Sequence, residues 1–318
     1  MSFADHLESL LQILSAGLLL GCLYGLMCAG LGLIFGIMRV INFAQGEFMM
    51  LAMYAGLNGV AFLAPGRAWA FPVAMAVALA VALLFYGIGA ATHFLLVSRV
   101  SGSRVVGSED GGHTGQLILT LGLSLVLQNG GLMLFGSSPT SIGNAAADNS
   151  WTVGPLWGED VMIFVNQARA WSAILALVAV GLTILMMNRT GVGRRLRAVA
   201  SNPVAAVYMG VDVERAFRTA FGIGLALTAI AGVCVATFYP FQPYTGFDFV
   251  IIMYAGVVLG GMGSVGGAFL GGLVIGLVQQ LSTLVLAPQL QNTAVFVVFL
   301  AVLLVRPQGL FGRGVERA

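Results

Sequence analysis

The chain has 318 residues, of which 59% are hydrophobic and only 8% are charged, and its mean hydropathy is +0.97. A soluble globular domain carries about a quarter charged residues, so this composition excludes an ordinary soluble fold and indicates an all-α polytopic membrane protein. All 14 basic residues are arginine. Because the phosphate-binding P-loop motif requires a lysine, the chain is not expected to hydrolyse ATP itself.

Apolar segments follow one another along the chain, each near the length of about 20 residues that crosses about 30 Å of hydrocarbon. Their approximate bounds are 13–36, 43–63, 71–97, 115–136, 171–188, 217–239 and 292–305. A glycine-dense region at 249–287 fits either one crossing with a re-entrant segment or two crossings joined near "GGMGS". We therefore predict one transmembrane domain, residues 1–318, with eight or nine membrane-spanning helices.

The distribution of charge predicts the orientation in the membrane, because cytoplasmic loops retain arginine. Arginines gather in the segment 189–216, which we place in the cytoplasm, and again after the last span. The loop 137–170 contains three acidic residues and one arginine, so we expect it on the external side. An acidic N-terminus outside favours nine crossings, whereas eight crossings require a cytoplasmic start.

Glycines recur at every fourth position in two places, at 17–25 and at 263–271. This spacing gives a helix a flat face that another backbone can approach closely. The pattern favours tight packing within the chain over a seam between two chains. It also suits helices that slide or tilt against each other.

The second predicted span begins with a group of polar residues in "VINFAQGEF". Asn42 and Gln45 are three residues apart and share one helical face, which we place near the cytoplasmic end. Glu47 lies on another face and is expected to reach the membrane interface or to pair with Arg39. The group fits a network that holds Arg39 at the helix start as well as it fits a translocation pathway.

Two further amides, Gln128 and Asn129, lie deep in the fourth predicted span. Polar side chains inside a membrane face protein or water, because exposure to lipid is costly. Hydrogen bonds between helices are the simpler interpretation of these amides. A position along a translocation pathway is the alternative.

The sequence shows no pattern typical of an enzyme or a metal site. No His-Glu-x-x-His pair occurs, and no two carboxylates stand at catalytic spacing within a span. Cys22, Cys28 and Cys234 lie in apolar segments without the spacing of metal ligands or disulfides. We therefore predict that the chain is not an enzyme and binds no metal.

The stretch "GRRLRAVASNPVAAVYMGV", residues 193–211, interrupts the apolar pattern. Asn202 is a good N-cap, Pro203 fits the first helical position, and Gly210 suits the left-handed position that ends a helix. These residues predict a helix of about seven residues at 203–209, which is too short to be stable alone. Apolar contact is expected from Leu196, Val199 and Val207.

Arginines precede this short helix and can donate paired hydrogen bonds to carboxylates. They are Arg194, Arg195 and Arg197. A short cytoplasmic helix that cannot stand alone fits a groove in a soluble partner. The alternative is that the arginines set the topology and bind anionic lipid.

The segment "NPVAAVYMG" resembles the coupling-loop signature of ATP-binding-cassette (ABC) importer permeases, in which three residues separate Glu-Ala-Ala from a following Gly. Ala205, Ala206 and Gly210 match that signature, and Val204 stands where the glutamate usually is. The local pattern and the resemblance together imply that nine residues couple this chain to an ATPase. They are Gly193, Arg194, Arg195, Arg197, Asn202, Pro203, Ala205, Ala206 and Gly210.

The remainder of the chain resembles the LivH-type permeases of branched-chain amino acid importers. The similar segments are "GLMCAGLGLIFGIMRVINFAQGEFMMLAMYAG", "YAGVVLGGMGSVGGAFLGGLVIGLVQ" and "LLVRPQGLFG". Gln45 replaces the histidine that is usual in that family. The motifs occur in the family's order over essentially the whole chain.

This resemblance implies a subunit of a larger importer in a bacterial inner membrane. The implied partners are a second related permease, two ATPase subunits and a periplasmic solute-binding protein. ATP would be used by the partner subunits, and this chain would bind no cofactor and no nucleic acid. Asn42, Gln45, Glu47, Gln128 and Asn129 are the candidates for its translocation pathway.

Branched-chain amino acids are the expected solutes, with urea or short amides as the alternative. A secondary transporter and a channel or scaffold are the two alternative classes of function. A secondary transporter requires acids or broken helices near the membrane midplane, and the candidates Glu47 and Asp248 are expected near span ends. A channel or scaffold leaves the short cytoplasmic helix without a role.

Overall fold

A computed structural model describes residues 3–64, 67–101, 111–156, 161–287, 290–306 and 308–310. Helices dominate these ranges, as predicted. The helices are α1 (Phe3–Met38), α2 (Gln45–Leu63), α3 (Arg67–Thr92), α4 (Ser98–Ser101), α5 (Gly111–Phe135), α6 (Ala145–Asp148), α7 (Gln167–Arg189), α8 (Gly191–Ser201), α9 (Pro203–Tyr208), α10 (Val213–Ala236), α11 (Thr245–Gly260), α12 (Val265–Ser282) and α13 (Gln291–Val305). A π-helical turn, His93–Val97, joins α3 to α4.

Among the described residues, seven helices are long and apolar enough to cross a membrane: α1, α2, α3 with its extension, α5, α7, α10 and α12. Two further apolar helices, α11 and α13, have 16 and 15 residues. A helix of that length spans about 24 Å, less than the about 30 Å of the hydrocarbon layer. The all-α polytopic fold is therefore confirmed, while the number of crossings stays a prediction.

The glycine-dense region forms two helices, α11 and α12, which separate at "GMGS", residues 261–264. Gly261 and Gly263 have φ angles of +96° and +103°, in the left-handed region that favours glycine. Ser264 then caps α12, since its hydroxyl accepts a hydrogen bond from the Gly267 amide at 3.1 Å. The region therefore contains two helices, and whether both cross the membrane stays a prediction.

The predicted external loop, 137–170, contains structure that the all-α prediction missed. Strands β1 (Ser150–Leu156) and β2 (Val161–Asn166) pair antiparallel, with Ser150 opposite Asn166. The Gln12 amide of α1 binds this hairpin, donating to the Phe164 carbonyl at 2.7 Å and accepting from the Phe164 amide at 2.8 Å. The hairpin is therefore fixed to the N-terminal part of α1.

Glycine faces bring α1 and α12 into antiparallel backbone contact. A Cβ atom at Gly21 would lie 2.7 Å from the Leu273 carbonyl oxygen, and one at Gly25 would lie 2.7 Å from that of Phe269. Further along, Gly36 of α1 faces Gly263 at the start of α12. The repeated glycines thus pack within the chain, as favoured, and α1 becomes the central helix of the bundle.

We predict that Gly21→Leu destabilises the protein, because the added side chain meets the α12 backbone. Overpacking a close-packed interior costs about 1–3 kcal/mol, and a backbone neighbour has little freedom to move. The melting temperature of the purified protein in detergent measures the effect. Gly181→Leu in α7 is the control, because a Cβ atom there meets nothing within 4 Å; equal melting temperatures of the two variants would contradict this packing.

Candidate functional site

The predicted cytoplasmic segment, 189–216, contains an additional helix, α8, that the sequence analysis did not predict. Its Leu196 and Val199 side chains are buried, and its arginines are exposed. The buried side packs against α1, α7 and α10. Three closely spaced arginines interrupt the apolar pattern of this stretch. Leu196 and Val199 are nevertheless three residues apart, a spacing that is typical of an amphipathic helix.

Gly193 lies where α8 leaves the end of α7. Its amide donates to the Thr190 hydroxyl, which caps α8, at 3.2 Å. A Cβ atom at Gly193 would collide with the carbonyl oxygens of Met186 and Met187. The corner between α7 and α8 therefore requires glycine, and Gly193 acts here through the backbone.

The short helix α9 has the ends that the sequence predicts. The Asn202 side chain accepts from the Ala205 amide at 3.0 Å, and Pro203 is the first helical residue. Gly210 has φ +76°, the left-handed conformation expected at this position. The helix ends at Tyr208, one residue before the predicted end.

Exposure gives α9 the form of an apolar ridge. Tyr208 is 85% exposed and Met209 is 82% exposed, and Val204 is about half exposed. Only Ala206 of this helix is buried. Val207, which we expected to anchor the helix, is exposed instead, because the α9 turn that faces the bundle presents Ala206.

The arginines of the candidate coupling set border this ridge from α8. Arg194, Arg195 and Arg197 are all exposed. The structure therefore brings together an apolar ridge and a cationic flank on one protruding element. We call the exposed side chains of α8 and α9 the docking element.

A second polar site lies inside the bundle, around the start of α2. The Asn42 amide donates to the Gln45 carbonyl oxygen at 2.9 Å, and the Gln45 amide donates to the Thr228 hydroxyl at 2.6 Å. Both amides and the hydroxyl are fully buried. Thr228 lies within α10 (Val213–Ala236), so Asn42 and Gln45 pack against the interior of the bundle. Gln45 is also the first residue of a helix long enough to cross a membrane, and its expected position near the cytoplasmic end stays a prediction.

Glu47 belongs to the same buried region and not to the membrane interface. Its side chain is 1% exposed, and its carboxyl group contacts the Ser124 hydroxyl of α5. The other oxygen, Oε2, has no hydrogen-bond partner and points toward Gly246 at the start of α11. The expected pair with Arg39 is wrong, since Arg39 is exposed and follows the end of α1 in a left-handed conformation, φ +53°.

Gln128 and Asn129 do not join this buried cluster equally. Gln128 is half-buried and lies one turn beyond Ser124 on the side of α5 that faces α2. Asn129 is exposed, and its amide donates to the Leu125 carbonyl of its own helix at 2.8 Å. The Asn129 amide therefore bonds within its own helix.

Sequence reasoning missed Ser124, Thr228 and Gly246 as parts of the buried site. The signal for the first two was present, because each is a hydroxyl residue inside an apolar span. Gly246 had no such signal, since its role depends on the close approach of α11 to α2. Among the described residues, no three potential metal ligands cluster.

The fold and these two sites define a class of protein: a multi-pass membrane protein with a buried polar site and an exposed docking element. Comparison with known proteins identifies the family. The family described as "Branched-chain amino acid transport system / permease component" matches residues 13–305, so this chain belongs to it. No solved structure matches the chain.

Individual relatives cover nearly the whole chain. The high-affinity branched-chain amino acid transport system permease protein LivH of Escherichia coli K12 is 31% identical over 307 residues, 95% of this chain and 96% of LivH. The corresponding permease BraD of Pseudomonas aeruginosa is 31% identical over 304 residues, with the same coverage. A probable LivH of Methanocaldococcus jannaschii is 26% identical over 317 residues, 95% of this chain and 92% of that protein.

We predict that Thr228→Val destabilises the protein, because it removes the nearer of the two acceptors of the buried Gln45 amide and leaves only the Gly224 carbonyl at 3.4 Å. An unsatisfied buried donor costs about 1–3 kcal/mol, and valine nearly preserves the shape of threonine. Thermal unfolding in detergent measures the loss. The control is Thr183→Val, because the buried Thr183 hydroxyl bonds only within its own helix, to the Ala179 carbonyl; a larger loss at Thr183 than at Thr228 would contradict the proposed network.

Proposed function

We propose that this chain moves branched-chain amino acids across a bacterial inner membrane, driven by ATP hydrolysis on separate subunits. The docking element carries this proposal, because an exposed apolar ridge on a short capped helix fits a groove in a soluble partner. The chain contains no lysine and hence no P-loop of its own. The substrates named for LivH and BraD support the choice of solute.

The packing of the docking element provides a route for movement into the membrane. Helix α9 contacts α8 and the start of α10, and α8 contacts α1 and α7. Asp212 fixes the start of α10, since its side chain accepts from the Arg215 amide at 2.9 Å. A force on α9 would thus reach α10, whose middle holds Gln45. Only a contact that differs between two states can drive such a change.

A second related permease is the partner that we propose for the outer side of α5. Large apolar side chains such as Val126 and Met133 are exposed there, together with the Asn129 amide. An amide facing lipid is costly, so a protein neighbour or a water-filled passage suits this side better. Gln128 and Asn129 would then lie near the passage between two permeases.

The external partner in this proposal is a periplasmic solute-binding protein. The β1–β2 hairpin carries exposed Trp151 and Phe164 side chains and is fixed to α1 through Gln12. A rigid aromatic surface of this kind suits a protein contact. The binding protein would supply most of the solute specificity, so urea or a short amide remains the alternative solute.

We predict that the permease, reconstituted with its ATPase subunits and binding protein, accumulates L-leucine only with ATP. Tyr208→Glu should lower both uptake and co-purification of the ATPase at least tenfold, because a carboxylate replaces the most exposed apolar side chain of the ridge. Vesicle uptake and affinity purification measure the two effects. The control is Tyr239→Glu, because Tyr239 is half-exposed and lies outside the docking element, after α10.

Uptake that persists without the ATPase, driven by an ion gradient, would contradict this function and favour a secondary transporter. Equal losses in Tyr208→Glu and Tyr239→Glu would contradict the docking role of α9 alone.

We also predict the sidedness of the two surfaces. A cysteine at Thr152 in β1 should react with a membrane-impermeant maleimide in right-side-out vesicles, and one at Tyr208 only in inverted vesicles. The native cysteines Cys22, Cys28 and Cys234 are all buried, so they give little background. Labelling of both engineered cysteines from the same side would contradict the proposed orientation.

A further inference from the structure

Two segments of the chain repeat each other at a separation of 200 residues. "NFAQGEFMMLAMYAG", residues 42–56, aligns with "QPYTGFDFVIIMYAG", residues 242–256. Gly46 aligns with Gly246, and the tetrapeptide Met-Tyr-Ala-Gly occurs at the end of both segments. Each segment contains the start of a helix, α2 in the first and α11 in the second.

The backbone repeats as closely as the sequence. The N-cap residues Ala44 and Tyr244 have φ and ψ of −74° and −3° and of −78° and −14°. The preceding turns carry the same hydrogen bond, from Gln45 N to Asn42 O at 3.2 Å and from Thr245 N to Gln242 O at 2.9 Å. Neither helix start has a side-chain cap, whereas α7, α8, α9, α10 and α12 have one.

The long helices that precede the two segments are α1 and α10, and they pack against each other in opposite directions. Helices α1 and α10 are antiparallel, since Gly30 faces Thr228 while Ile34 faces Gly224.

Helix α2 runs parallel to α10, and helix α11 runs parallel to α1. For α2 and α10, Gln45 contacts Thr228 and Gly56 faces Val233. For α11 and α1, the Tyr24 and Phe249 rings pack at 6.2 Å and Cys28 contacts Ile252. Helices α2 and α11 therefore run in opposite directions away from a common level.

The contacts between helices match when α1 is paired with α10, α2 with α11 and α3 with α12. Helix α1 packs on α12 as α10 packs on α3, and α2 contacts α5 as α11 contacts α13. The units α1–α3 and α10–α12 thus form an inverted repeat. In membrane transporters, interrupted segments at corresponding positions of such repeats point to the site of the transported solute.

The two helix starts meet at Gly46 and Gly246, near the middle of α10. A Cβ atom at either glycine would collide with the carbonyl oxygen of the other, so the backbones touch. Glu47 Oε2 lies at this contact, 2.7 Å from where a Cβ of Gly246 would stand, and has no hydrogen-bond partner. We call the contact of the two helix starts, with Glu47, the junction.

An unpartnered carboxylate oxygen in a membrane interior calls for a donor. Among the described residues, no arginine or histidine forms an ion pair with Glu47, whereas Arg215 pairs with Asp212. Ser124 engages the Glu47 carboxyl from α5, which leaves Oε2 for a second donor. A primary ammonium group is the donor that both bonds and neutralises a carboxylate.

We propose that the junction binds the ammonium group of a zwitterionic solute through Glu47, an inference that rests on the proposed amino acid transport. The uncapped starts of α2 and α11 carry positive partial charge, which suits the carboxylate of the same solute. Because the Gly46 and Gly246 backbones touch, the junction is closed in this structure. Separation of α2 from α11 opens it to the solute.

The test uses the complete transporter in vesicles, with L-leucine and its binding protein. Glu47→Gln should lower ATP-driven leucine uptake at least tenfold, while ATP hydrolysis stimulated by the leucine-loaded binding protein stays within twofold. Glu47→Asp should retain most of the uptake. The matched control is Asp248→Asn, because Asp248 is an exposed acid in the first turn of α11 and should leave uptake within twofold.

Each other result overturns the site. Leucine uptake by Glu47→Gln at the wild-type level overturns the ammonium site and leaves the proposed transport function standing. Joint loss of uptake, ATP hydrolysis and melting temperature in Glu47→Gln, without recovery in Glu47→Asp, assigns Glu47 a structural role. A wild-type transporter that moves acetamide but not leucine overturns the proposed solute and, with it, the ammonium site.

Discussion

Backbone that leaves a helix inside a membrane must find its hydrogen bonds within the protein, because hydrocarbon offers none. Residues 40–44 join two candidate spans and are largely buried, and they meet the same constraint with help from α5 and α10. The Thr120 hydroxyl donates to the Ile41 carbonyl at 3.3 Å, and the Asn42 side chain accepts from the Ala44 amide at 3.2 Å. Gln45 then connects this segment to α10. Glycine contacts allow the close packing that keeps lipid away from the break, and the buried polar site exists because that break is covered.

The same constraint separates the two functional regions. Inside the bundle, several buried polar atoms lack a hydrogen-bond partner, among them the Tyr54 and Tyr254 hydroxyls. Among the described residues, Glu47 Oε2 is the one such atom that belongs to a carboxyl group, which sets it apart chemically. At the end that we propose to be cytoplasmic, water satisfies the backbone, and a short helix such as α9 can protrude with only Ala206 buried. Helix α10 spans the distance between the two regions: its first turn contacts α9 and its middle holds Gln45. A rigid helix between a surface contact and a buried network can communicate displacement without any polar pathway through the membrane.

Features governed by local rules could be predicted from the sequence, and features governed by tertiary contact could not. The caps of α9 follow from Asn202, Pro203 and Gly210 alone, and the apolar spans follow from hydropathy. The partner of Gln45 could not be predicted, because only the fold brings Thr228 against it. The hairpin was missed because its alternating strands are short and lie in a polar loop. The role of Gly246 depends on which helix it meets, and only the fold supplies that information.

Helices that start inside the membrane are typical of ion-driven transporters, so the interior alone would support that class. Its hallmark is an acid near the midplane beside a broken helix, and it was expected to be absent here. The structure buries Glu47 where the starts of α2 and α11 meet. The interior architecture, however, describes how a solute is held and says little about what drives the cycle. In the proposed function, the energy source is decided at the surface, where an ATPase would bind the apolar ridge beside the arginines. A passage built on an inverted repeat and a separate site for an ATPase are therefore compatible in one chain, with α10 as the element common to both.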